Sequence, residues 1–157
     1  MRITKGLTIG IIFGVCLSFS ISFIFMLVAQ RLAGGIPSLF GESWLYYSTI
    51  VPFVLAFAIL GCYFTKKENV SNKKLWLISL LTALFITLYS GTFGAVTGEF
   101  IVRVLIRGGE YHWQMLIGDI FFWGSIYAFI LLPLTTPLAR LIIHVYIELL
   151  KKYKIAS

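Results

Sequence analysis

Glu99, Arg103, Arg107, His112 and Asp119 bring two acids, two guanidinium groups and an imidazole into 21 consecutive positions. Glu99 and Arg103 are spaced i, i+4 with the acid first, the favourable order for a helical ion pair, and Arg107 continues the same stripe. Asp119 needs a partner as well, and Arg103 or Arg107 is the nearest candidate. As a site, the five residues could bind a headgroup, relay protons or recognise a partner. As structure, they are ion pairs that fix one helix to the next, and because the groups can neutralise one another this is the reading expected.

Other reactive combinations fare worse. An intramembrane aspartyl mechanism needs two carboxylates sharing a site, and Arg103 beside Glu99 points to pairing instead. A serine nucleophile needs a positioned base, and no nucleophile motif accompanies His112. Haem held between His112 and His144 is excluded because the two fall at opposite ends of the layout derived below. Zinc needs three or four ligands together, and the sequence has no such grouping. The glycines of Gly91–Gly98 lie in an apolar run and lack the lysine of a phosphate loop. No catalytic residue, metal or cofactor is therefore expected.

Charge distribution defines the elements that must position these groups. Apolar residues make up 59% of the 157 positions and charged ones 12%, too few charges to cover a water-soluble exterior without large apolar patches. Four stretches carry no charge: Gly6–Gln30, Ser43–Thr65, Leu75–Gly98 and Ile120–Ala139, of 25, 23, 24 and 20 residues. A span of the hydrocarbon core takes about 20 apolar residues. The expected fold is all-α, an integral membrane four-helix bundle with short loops. It forms a single domain over 1–157, with helices near 6–30, 44–64, 75–106 and 115–140 and an amphipathic tail over 141–154 on the cytoplasmic surface. The first stretch is too long for the apolar region of a cleaved signal peptide and lacks a clean small-x-small site, so it reads as an uncleaved helix.

Ten of the 13 Lys and Arg residues fall at the N-terminus, in the middle loop or from Arg140 onward. Basic residues collect on the cytoplasmic side, so both termini are expected inside, N-in and C-in, in a plasma membrane of the bacterial inner-membrane kind. The net charge of +7 is thereby topological, and no nucleic-acid partner is expected. Cys16 and Cys62 differ in depth by roughly 15 Å, too far for a disulfide.

Within helix 1, Gly6, Gly10, Gly14, Ser18 and Ser22 fall at strict four-residue spacing. Lipid tails are as apolar as leucine, so helices associate in a bilayer by close approach along such small-residue faces. The stripe is either an oligomer seam or a packing face within the chain. Helix 3, with Ser90, Gly94 and Gly98 on one ladder and Ala83, Thr87, Gly91 and Ala95 on a second, is the expected partner. Helix 3 is long enough, about 48 Å, to overshoot the bilayer on the outer side or to bend at its glycines. Pro52 predicts a kink in helix 2; Pro133 and Pro137 predict a kink or broken turn in helix 4.

The leading expectation is a non-enzymatic membrane protein that acts through helix–helix contacts, as an accessory subunit or partner-binding protein. Its partners would be the lipid bilayer and a membrane protein or a second copy of itself. The second reading is a lipid-handling or transport-related protein using the Glu99, Arg103 and Asp119 cluster. The layout, four helices with both ends inside, short loops and Pro52-Phe53 ahead of the basic loop, resembles that of immunity proteins against pore-forming colicins. That resemblance implies a third reading, protection against a pore-forming toxin, and no site residue is carried over from it.

Overall fold

A computed structural model describes residues 2–32, 34, 43–67, 70–110 and 113–153, and every regular element among them is helical. Helix α1 covers Arg2–Leu32, α2 covers Trp44–Lys66, α3 covers Asn72–Ile106 and α4 covers Trp113–Lys152. All four are long and apolar enough to cross a membrane. The sequence dictates this much: hydrocarbon offers no partner for a peptide N–H or C=O, so an uncharged apolar run satisfies its backbone internally as a helix.

Neighbouring helices run antiparallel. Gly6 of α1 faces Gly61 and Thr65 of α2, while Ser22 reaches Thr49. Gly94 and Gly98 of α3 lie on the backbone of Ser48 and Trp44 in α2. Gly91 of α3 faces Gly124 of α4, and Asn72 meets Arg140. The helices thus form a row, α1–α2–α3–α4, in which α2 sits between α1 and α3. One end of the bundle gathers Lys5, Lys66, Lys67, Lys73, Lys74, Arg140, Lys151 and Lys152.

The small-residue stripe of α1 packs on α2 rather than on α3, where it was expected. A Cβ at Gly14 would stand 2.8 Å from the carbonyl oxygen of Phe53 and 2.9 Å from Cα of Val54, so the two backbones are in direct contact. Further along, the hydroxyls of Ser18 and Ser22 lie 2.8 and 2.7 Å from that of Thr49, a polar clasp between the helices. The physical reason is that α2 carries its own small residues, Thr49, Ala58 and Gly61, at matching levels.

Helices α3 and α4 both run without a break. Helix α3 continues through its glycines and widens, with π-helical turns at Ser90–Gly94 and Ile101–Ile106. An extra residue in the turn absorbs the poor helix-forming Gly91 and Gly94 while keeping backbone groups paired, the usual form of such a bulge. Helix α4 is continuous through Pro133 and Pro137, because a broken turn in hydrocarbon would leave more backbone groups unpaired than the prolines alone do.

Positions 141–152, expected as a surface tail, are instead the end of α4 and bury one face. Ile143, Tyr146 and Leu150 are fully buried. They join Phe53, Phe57, Leu60 and Phe64 of α2 in the main core cluster. Tyr146 is its wedge: the ring packs on Phe13 at 4.8 Å and edge-on to Phe57 at 5.3 Å. Its hydroxyl lies 3.4 Å from the carbonyl of Phe57 and 3.5 Å from that of Gly6. The last three turns of α4 therefore cross back to α1 and α2 and close the row at the lysine-rich end.

Candidate functional site

Glu99, Arg103, Arg107 and Asp119 do not gather into one ion-paired cluster as expected. Glu99 and Arg103 do pair, Arg103 Nε donating to a Glu99 carboxylate oxygen at 2.7 Å. Arg107 lies just past the end of α3, before Gly108 turns the chain at φ +66°, and is exposed. Asp119 is exposed on α4 and makes no ion pair among the described residues, where the acid–base contacts are Glu99–Arg103 and His144–Glu148. Asp119 is thus not the ion-pair partner of Arg103 or Arg107. His112 lies outside the described residues. Among the described residues no three of His, Cys, Asp or Glu are grouped to hold a metal ion.

Among the described residues, a concave feature lies elsewhere. Because the row of helices closes only at the lysine-rich end, α1 and α4 stand apart over the other half, leaving a cleft of about 730 Å³ with α2 and α3 behind it. Leu17, Ile21 and Phe25 form one wall, and Trp123, Tyr127, Leu131, Thr135 and Leu138 the facing one. At the back are Phe53 and Phe57 of α2 and Ile86, Thr87 and Gly91 of α3. Phe53 and Phe57 also belong to the Tyr146 core, which stops the cleft at that end. Trp44 and Ile120 flank it at the other.

Several wall residues are nominally polar, yet their hydroxyls are already engaged. Thr87 donates to the carbonyl of Ala83 at 2.8 Å and Thr135 to that of Leu131 at 3.0 Å. Ser48 bonds the carbonyl of Leu45, and Ser22 shares the Thr49 clasp. Hydroxyls so paired present methyl and methylene surface, and the cleft behaves as hydrocarbon. The Ser90 hydroxyl oxygen, at the start of the first π turn, is buried without a hydrogen-bond partner.

The residues picked from the sequence as helix-packing positions lie at helix contacts, Ser90 excepted. Gly6, Gly10, Gly14, Ser18 and Ser22 face α2; Gly94 and Gly98 face α2 from the other side; Ser90 lines the cleft. The α4 wall was missed. Trp123, Tyr127, Leu131 and Thr135 recur every fourth residue and make one helical face. A soluble helix would reveal such a face by contrast with polar neighbours. On α4 all sides are apolar, and the sequence carries no such contrast. No family model matches the chain, and neither a curated protein nor a solved structure does.

Proposed function

We propose that this is a multi-pass membrane protein that binds a lipid-class molecule, with an apolar chain held in the cleft between α1 and α4. The cleft itself carries the reading. Its 730 Å³ is in the usual range for small-ligand sites, about 300–1,000 Å³. What fits is a chain, and within a bilayer the molecules that present chains are lipids.

This favours the lipid-handling reading over action through helix–helix contacts with a partner. The small-residue faces of α1 and α3 that such contacts would use lie against α2 and α4 within the chain. The polar cluster is no longer part of the proposed site. Lysine and arginine collected at one end of the bundle support an orientation with both termini in the cytoplasm, in a plasma membrane.

The test is retention of lipid by the purified protein, measured by native mass spectrometry from detergent. Thr135→Trp places a large ring in the cleft, while Leu134→Trp, at a position 71% exposed and outside the cleft, places the same ring on the outer surface. Retained lipid should fall at least about fivefold in the first variant, the scale of one modest packing or hydrogen-bond interaction, and stay unchanged in the second. Equal retention by the two variants and the parent protein would sink the proposal.

A further inference from the structure

The lysine-rich end of the bundle carries more positive charge than the chain neutralises. Lys5, Lys66, Lys67, Lys73, Lys74, Lys151 and Lys152 are exposed there, and Arg140 is half-buried. None of the eight makes an ion pair among the described residues. Glu148, the acid at this end among those residues, is taken by His144 at 3.4 Å, and Glu68 adds one more between Lys67 and Lys73 in the sequence. The first turn of α3 holds Lys73 and Lys74 and no acid. Like charges so gathered repel one another, and the counter-charge has to come from outside the chain.

At Arg140 that demand is sharpest. Its Nη2 donates to Asn72 Oδ1 at 2.8 Å, a bond that lies at the surface. Nη1 is buried and has no hydrogen-bond partner among the described residues. Part of the charge has thus lost water without gaining an acceptor, which is costly until an anion pairs with it. The Asn72 bond and the Trp76 ring, 6.0 Å from the guanidinium carbon, hold the group at the seam between α3 and α4. Within a turn of these residues the two helices expose hydrocarbon: Leu77 and Leu80 on α3, Leu141 on α4. An anion that suits this setting has a charged head with hydrocarbon attached to it. A free phosphate or a nucleic acid has no such part.

We propose that an anionic phospholipid binds at this seam. Its phosphate accepts hydrogen bonds from the Arg140 guanidinium, Lys73 and Lys74 add attraction, and its chains lie along the exposed leucines of α3 and α4. A guanidinium has five N–H donors in a planar fork that matches phosphate oxygens, and Asn72 accepts from one of them. Trp76, 45% exposed, is the residue type that settles at headgroup level. Basic groups between helix ends on one side of a membrane are suited to anionic headgroups. The site is separate from the cleft, and neither reading rests on the other.

The experiment titrates the full-length protein in detergent with phosphatidylglycerol and with phosphatidylcholine of identical chains, and reads bound lipid by native mass spectrometry. Both lipids carry the phosphate, and only the first has a net negative charge. The unsubstituted protein should bind phosphatidylglycerol about tenfold more tightly, the scale of one hydrogen bond to a charged group. Arg140→Gln should reduce the preference below about twofold. The Lys73→Gln, Lys74→Gln double variant leaves the Arg140–Asn72 bond in place and should lower it at least about threefold; it decides the matter should Arg140→Gln fail to fold. The Lys151→Gln, Lys152→Gln double variant removes as much charge about 17 Å further along α4 and should keep the preference. Three results would overturn the proposal: no preference in the unsubstituted protein, a preference that survives in Arg140→Gln or in the Lys73, Lys74 variant, or an equal loss in the Lys151, Lys152 variant. Displacement of phosphatidylglycerol by an excess of inorganic phosphate would overturn it too, by showing a site for the free anion.

Discussion

A side chain at position 10 of α1 would meet the carbonyl oxygen of Phe57 and, at 2.9 Å, the Cα of Ala58, both backbone atoms of α2 that cannot swing aside. Gly118 of α4 has open space around it over 4 Å. The two glycines are equal as sequence and opposite as structure. Gly10→Leu should force α1 away from α2 and destabilise the bundle by about 1–3 kcal/mol, the usual cost of overpacking. Gly118→Leu should have almost no effect. Thermal unfolding in detergent, followed through loss of the monodisperse species, checks both, and comparable losses in the two variants would refute the packing described for α1. The four-residue spacing made the glycine stripe legible in the sequence. It could not name the partner helix, because α2 and α3 both carry small residues and spacing says nothing about which backbone arrives first.

At the scale of an element, α4 departs furthest from what its sequence suggests. Arg140, Lys151 and Lys152 bracket a segment with His144 and Glu148 on one side, which reads as a surface tail. In the fold, Arg140 is anchored to α3, its guanidinium donating to Asn72 Oδ1 at 2.8 Å and lying 6.0 Å from the Trp76 ring. The helix then carries on to bury Ile143, Tyr146 and Leu150. His144 and Glu148 pair at 3.4 Å on its exposed side. Stopping the chain after Arg140 should therefore remove the closure of the bundle and with it the end wall of the cleft. The shortened protein is expected to aggregate or lose its lipid, as judged by size exclusion and lipid retention. Stopping after Lys152 should leave both unchanged, and tolerance of the shorter form would mean that the segment is a tail after all. The period-3.6 pattern of Ile143, Tyr146 and Leu150 was present in the sequence. A bilayer surface and a protein groove select the same pattern, so the pattern alone did not decide between them.

For the whole molecule, the antiparallel row fixes which loops share an end, and the distribution of lysine supports which end faces the cytoplasm. Lys67 and Gly109 are exposed at opposite ends of the bundle. With Cys16 and Cys62 replaced by serine, a cysteine at position 67 should be protected from a membrane-impermeant maleimide in intact cells. One at position 109 should react. The reverse labelling would invert the proposed orientation, and labelling of both from outside would remove it. The same row explains the cleft: four helices packed in sequence order and closed at one end only must stay open at the other.

Membership of the membrane class, the number of spans and their approximate limits followed from the sequence by itself. The Glu99–Arg103 pair did too. Each depends on local properties, charge-free length against bilayer thickness and spacing along one helix. The pairing of α1 with α2, the π turns of α3, the inward course of α4 beyond Arg140 and the cleft were decided by tertiary structure. Helices buried in hydrocarbon gain no hydrophobic advantage from one face over another. Their arrangement is therefore set by shape, by which small residues let two backbones touch, and that information lies between elements rather than within them.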